Sequence, residues 1–324
     1  MLCFITNNKE KALTALKKFE PVKNGEETLV VAPQKIINEL PADHAACEEA
    51  FKEQHPETAF QGAYGGNRNA ALAACHALKQ NAIFFDDDTS PVDDPVKKHL
   101  QLLENNEAVF GKYIGHAGGT LSCLLKLVQE YSREDPDEEA VKQFSSNVPK
   151  ETRFPLQGIV GGNTSIRLDA IPKQCFYPTA YRVEDALYYG LSQHYGFTCL
   201  ETKDVLVEHE KTGSPGDLAK ALKNEVTGSA LAYCISQLIQ KKLGPKQAIE
   251  LKEQCFQAAW QHYSIEYAQK KLPENEYTKP IHDIQLPDLA LSDDAFQKEA
   301  TKFFEAQREW RPALQKVRAG EFKC

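Results

Sequence analysis

Three consecutive carboxylates, Asp86-Asp87-Asp88, follow directly on the apolar run Ile83-Phe84-Phe85 and precede a Thr-Ser-Pro turn. A run of that length suits a buried strand in a parallel sheet, so the acids are delivered to the sheet's edge. Adjacent aspartates repel one another and lose hydration when crowded, and a folded site tolerates them mainly when a divalent cation neutralises them. In an open α/β sheet the carboxyl ends of strands are where ligands bind. The spacing Asp86-x-Asp88 sets two side chains on one side of an extended segment, able to share a metal or to divide metal and ligand hydroxyl between them. The plain alternative is an acidic solvated turn; the apolar strand immediately before it argues for a site.

Four further stretches carry chemistry in the same sense. Gly65-Gly66-Asn67-Arg68-Asn69 precedes a helix, so backbone N–H groups and Arg68 can face a phosphate; a simple loop is the alternative. Gly161-Gly162-Asn163-Thr164-Ser165 lets a ligand approach the backbone closely, with Asn163 and Ser165 as hydrogen-bonding groups, or else marks a bulge. Glu184-Asp185 opens a helix. Acids there complement the helix dipole, or supply a general base that takes a proton from an attacking hydroxyl. His209 ends an apolar run and is followed by Lys211 and a Thr-Gly-Ser-Pro-Gly loop that can fold over a ligand. A lone histidine after a strand is more often structural, but an imidazole joins aspartates on Mn²⁺ readily and on Mg²⁺ less so.

These residues need a scaffold, and the hydrophobic pattern supplies one. Leu2–Thr6 reads as a strand, Lys9–Phe19 as a helix and Glu27–Pro33 as a second strand. Residues 38–55 read as helical, 70–79 as a helix entering the acidic strand, 96–103 as a helix and 108–114 as a strand. Gly115–Gly119 is a flexible loop, 120–131 a helix, and Arg133–Glu139 a charged surface connection. After 183–194 as a helix and 197–209 as strand, turn and strand, the character becomes helical. One helix covers 217–239, a second runs from about 246 to 271, and Ser292 caps a last one that Pro312 kinks or ends. The alternation predicts an α/β fold with a mostly parallel central sheet, helices on both faces and a C-terminal helical subdomain. Domain limits fall at 1–215 and 216–324.

Composition narrows the function. With 324 residues, 42% of them hydrophobic, the chain can bury a large core. A net charge of −8 without a basic stripe argues against nucleic acid and against an anionic membrane surface. Nine scattered cysteines with no CxxC read as reduced thiols. The opening MLCFITNNKEK lacks a cationic lead, and no segment reaches bilayer-spanning length, so a cytoplasmic protein is expected.

Taken in order, Gly-x-x-Arg-Asn before a helix, strand-Asp-Asp-Asp, a Gly-Gly-Asn loop, Glu-Asp at a helix start and His at a strand end resemble the nucleotide-sugar glycosyltransferases of the GT-A fold. Family 2-like members of galactofuranosyltransferase type are the nearest in pattern. The resemblance spans residues 1 to 215, and the order together with the interval of 24 residues from Asp185 to His209 (209 − 185) is its most specific part. It implies a GT-A-like sheet and a Mn²⁺ or Mg²⁺ ion held by Asp86, Asp88 and His209. Asp86 also lies near the donor ribose, with Asp87 beside it. Arg68 and Lys211 lie near the nucleotide or diphosphate, Thr6 and Asn8 near the base, and Gly162 and Asn163 border the sugar. Asp185, flanked by Glu184, becomes the base of an inverting transfer. The partners implied are a UDP- or GDP-linked sugar and a hydroxyl acceptor, a saccharide or other small molecule. A homodimer stays open through the helical tail. The sequence departs from the family in lacking a proline before the first loop and an aspartate-rich loop after the second strand, LVVAPQK.

Two other readings compete. Asp86-x-Asp88-x-Ser90 approximates the nucleophile motif of haloacid-dehalogenase-type phosphatases, although no Gly-Asp-x-x-x-Asp follows. A non-catalytic sugar-nucleotide-binding protein is the third; it requires a broken base or metal set, and both are intact.

Overall fold

The computed structural model describes residues 1–114, 120–132, 161–209 and 215–322. Eight strands form one sheet in the order β3-β2-β1-β4-β7-β6-β8-β5. They are β1 (Leu2–Ile5), β2 (Thr28–Ala32), β3 (His44–Cys47), β4 (Ala82–Asp86), β5 (Thr89–Pro91), β6 (Ala108–Ile114), β7 (Asn163–Ile166) and β8 (Cys199–His209). β3, β2, β1 and β4 pair in parallel, as do β6 and β8, while β7 runs antiparallel between β4 and β6 and β5 antiparallel on β8. The sheet is therefore mostly parallel, as expected.

Alternate residues of the central strands feed different cores, which is why these strands are apolar throughout. Cys3, Leu29, Val31, Phe84 and Phe110 face one core with helices Tyr64–Ala77 and Asp293–Lys316. Leu2, Phe4, Val30, Ile83 and Phe85 face the other with helices Lys9–Phe19 and Pro95–Leu103. A third cluster lies within the helical region, where helices Pro215–Gln240 and Ala248–His262 pack with Leu124, Val128, Tyr177 and Leu187. Secondary structure does change character near residue 215, yet two cores cross that point: Trp310, Leu314 and Phe322 of the tail pack with Met1, Phe51 and Phe60.

Some elements differ from expectation. Residues 38–55 hold the edge strand β3 and a helix, Glu48–Gln54, because His44–Cys47 completes a parallel ladder with β2 that outweighs the helix preference of its alanines. Within residues 197–209 a single strand, Cys199–His209, replaces the expected strand, turn and strand, and the turn survives as a register shift opposite Phe110 to Lys112. The second tail helix breaks at Ser264, φ 51°. The last helix, capped by Ser292, continues through Pro312 to Lys316, held by burial of Trp310, Ala313 and Leu314. None of the described cysteines forms a disulfide. Among the described residues no helix is long and apolar enough to cross a membrane. The expected Gly115–Gly119 loop, the Arg133–Glu139 connection and Lys211 lie outside the described residues.

Candidate functional site

Strand order 3-2-1-4 means the chain runs outward from β1 to β3 and then returns to β1's other side, leaving a crevice at the carboxyl ends of β1 and β4. The triple aspartate emerges there. Thr6, just past β1, donates its hydroxyl to Asp87 Oδ2 at 2.5 Å, tying the two strand ends together. Burial holds the Asp87 carboxyl above its usual range, with Thr6 opposing and Asp88 adding to the rise.

Two antiparallel pairings then bring distant residues to Asp86 and Asp88. Thr89 of β5 lies directly opposite His209 of β8, so the imidazole arrives beside Asp88, with Nε2 3.2 Å from Oδ1. Phe85 of β4 lies opposite Asn163 of β7, which sets Gly162 against Asp86: the Asp86 N–H donates to the Gly162 carbonyl at 3.3 Å. Asp86, Asp88 and His209 can each offer a ligand atom within 4.8 Å of the others. Two ligands on opposite sides of an ion at about 2.1 Å stand about 4.2 Å apart, so small side-chain movements close this set on a cation. The donor set of two carboxylates and an imidazole suits Mn²⁺ more than Mg²⁺.

The second half of the site is built around Arg68. Its guanidinium lies over the edge-to-face pair Phe84 and Phe176, 5.7 Å from each ring centroid. It donates to Glu184 Oε1 at 3.1 Å and to the Gly161 carbonyl at 2.8 Å, and stands 3.7 Å from Asp86 Oδ1. The neighbouring carboxylates raise its pKa against the opposing effect of burial, which is the larger single influence. Glu184 is buried, and that burial, followed by the charge of Asp185, pushes its carboxyl up to about 7 even with Arg68 opposing. Asp185 Oδ2 accepts the Gly161 N–H at 2.8 Å. One glycine thus joins the candidate base to the arginine that borders Asp86. Helix Glu184–His194 starts from Val183 at φ 82°, a left-handed conformation that a β-branched residue adopts only at a cost of order 1–3 kcal/mol and that concentrates at functional sites.

Asp86, Asp88, His209, Arg68, Glu184, Asp185 and Gly162 therefore share one neighbourhood. Asn163 does not face it. Its side chain is fully buried, donating to the Lys112 and Val205 carbonyls at 3.0 and 3.1 Å and accepting from His99 Nε2 at 2.9 Å. With its amide used in full, Asn163 clamps the β6–β8 irregularity and is closed to a sugar. Burial lowers His99 to about 4, so it stays neutral and serves the same clamp, its Nδ1 meeting the Ser165 hydroxyl at 2.9 Å. Asn8 caps helix Lys9–Phe19, accepting from the Lys11 N–H at 3.1 Å, with its side chain at the crevice's exposed rim. Gly65 and Gly66 lie inside helix Tyr64–Ala77 and serve close packing against neighbouring main chain, while Asn69 donates to the Ala59 and Phe176 carbonyls.

Two site residues were not expected. Lys11 Nζ stands 3.1 Å from Asp88 Oδ2. Tyr113, near the end of β6, donates its hydroxyl to Asp86 Oδ2 at 2.5 Å and lays its ring against His209, centroids 4.7 Å apart. Burial, then the Asp86 charge, raises its phenol well above the usual range. A polar-tipped aromatic at the carboxyl end of an apolar strand was the available signal.

No protein-family model matches the sequence, and no curated protein does. Among solved structures the chain is similar to glucosyl-3-phosphoglycerate synthase from Mycobacterium tuberculosis with Mn²⁺, UDP-glucose and phosphoglyceric acid: 15% identity, 75% of this chain and 79% of that one, TM-score 0.45. It is also similar to a mannosyltransferase from Pyrobaculum calidifontis with GDP-Man and Mn²⁺: 13% identity, 95% and 85% coverage, TM-score 0.45. A third is S. aureus TarS with UDP-GlcNAc: 12% identity, 98% and 91% coverage, TM-score 0.39. Likenesses at this level assign no activity; the chemistry is read from this chain's own side chains.

Proposed function

We propose that the chain is a metal-dependent glycosyltransferase. It moves a sugar from a UDP- or GDP-linked donor to a hydroxyl acceptor, a saccharide or other small molecule, with inversion and with Asp185 as base. The observation that carries this reading is the convergence of Asp86, Asp88 and His209 at the crevice between β1 and β4. These three residues would hold Mn²⁺ or Mg²⁺, which when bound supplies positive charge to a departing diphosphate. Arg68 adds a guanidinium that stays charged at any working pH, fixed by Glu184 and Gly161 so that it needs no reorganisation as negative charge develops. Asp185, oriented by the Gly161 N–H, takes the proton of the acceptor hydroxyl as its oxygen bonds the anomeric carbon. The sugar–phosphate bond breaks in the same displacement, and its electron pair leaves with the nucleoside diphosphate.

The test is a screen of UDP- and GDP-sugars with Mn²⁺, reading both thermal stabilisation and turnover. Asp88→Ala should abolish metal-dependent stabilisation by UDP or GDP; unchanged affinity would remove Asp88 as a ligand. Asp185→Asn should bind the donor normally and lose transfer by about 10²–10⁴-fold. Near-normal turnover would remove it as base. Hydrolysis of a generic phosphate ester, lost in Asp86→Asn, would favour the phosphatase instead.

A further inference from the structure

We propose that Tyr113 is the positioning residue of the metal centre, its hydroxyl fixing the Asp86 carboxylate and its ring fixing the His209 imidazole. The inference rests on the metal-site reading above and assigns the part of that site that makes its geometry definite.

Asp86 and His209 come from β4 and β8, which the sheet order separates by β7 and β6. No shared ladder aligns their side chains, so their mutual orientation must come from something that reaches both. Tyr113 lies on β6, where its backbone pairs with Val207, two residues before His209. From there the hydroxyl reaches Asp86 Oδ2 at 2.5 Å, and the ring meets the imidazole at a centroid distance of 4.7 Å and an interplanar angle of 47°. With one Asp86 oxygen accepting from the phenol and the other 3.7 Å from Arg68 Nη2, the carboxylate plane is defined from two sides. The aromatic contact limits imidazole rotation and leaves Nε2 directed at Asp88. Groups that orient ligand side chains in this way commonly govern metal affinity by about 10–100-fold.

The test is Mn²⁺ binding to the full chain by calorimetry, with the electron paramagnetic resonance spectrum of the bound ion as a second readout. Tyr113→Phe keeps the ring and removes the hydroxyl. It should weaken Mn²⁺ binding by about tenfold or more and broaden the spectrum, with the metal-free unfolding midpoint little changed. Tyr113→Leu, which also removes the ring, should weaken binding further. Equal affinity and an identical spectrum in wild type and Tyr113→Phe would overturn the role of the hydroxyl and reduce Tyr113 to a wall of the crevice. Failure of the wild-type chain to bind Mn²⁺ at all would instead overturn the metal reading, and the proposal with it.

Discussion

Two glycine pairs look alike in the sequence and do different things in the structure. At Gly65 a Cβ would fall 1.7 Å from the Tyr177 carbonyl oxygen, and at Gly66 2.4 Å from the Gln61 carbonyl oxygen, both main-chain atoms. At Gly162 a Cβ would fall 2.0 to 2.4 Å from the atoms of the Asp86 carboxylate, and at Gly161 2.7 Å from Arg68 Nη2. The first pair lets a helix start against a neighbouring main chain, with the Tyr64 N–H donating to the Thr179 carbonyl at 3.3 Å. The second lets two charged side chains lie flat on a turn. A Gly-Gly pair reports that something comes close; what comes close is decided by the fold.

That contrast can be broken by substitution. The largest effect is expected at Gly65→Ala, where a main-chain carbonyl cannot rotate away. Overpacking of this kind should cost about 3 kcal/mol or more, read as a shift in urea midpoint. A normally stable Gly65→Ala chain that loses Mn²⁺ binding would instead make the first pair part of the site. Gly162→Ala should be milder in stability, about 1 kcal/mol, because the obstructing atoms are the end of a side chain. Displacing Asp86 should still lower Mn²⁺ affinity about tenfold or more, and unchanged binding would detach Gly162 from the site. The smallest effect on Mn²⁺ binding is expected at a glycine remote from both pairs. Gly196 has φ 72° and open space around it, so Gly196→Ala should cost only the left-handed backbone strain, about 1–2 kcal/mol, with Mn²⁺ binding untouched.

How much was legible follows from the range of the forces involved. The strand that carries Asp86 and the helix starting at Glu184 were visible because hydrophobic periodicity and capping are local. His209 was readable as a strand end, and its meeting with Asp88 follows from the Thr89 to His209 register, which no local pattern encodes. Asn163 looked available to a ligand because its Gly-Gly neighbours suggested an open loop; pairing of β7 with both β4 and β6 instead made it interior. Tyr113 and Lys11 were missed because each meets its partner across a long sequence separation. The tail is legible as a helical subdomain because its periodicity is local; its contacts are not, and Trp310 donates its indole N–H to the Ile171 carbonyl at 2.7 Å while Phe322 joins the core that holds Met1.

By itself the sequence determined which residues have acidic, basic or nucleophile-orienting chemistry, and that an α/β sheet would present the aspartates at a strand's carboxyl end. Those properties depend on side-chain type and on periods of a few residues. Only the tertiary structure decided which of those groups face one another. Strand order and register are fixed by burial summed over the whole sheet, and a shift of one residue would turn His209 to the opposite face, away from Asp88.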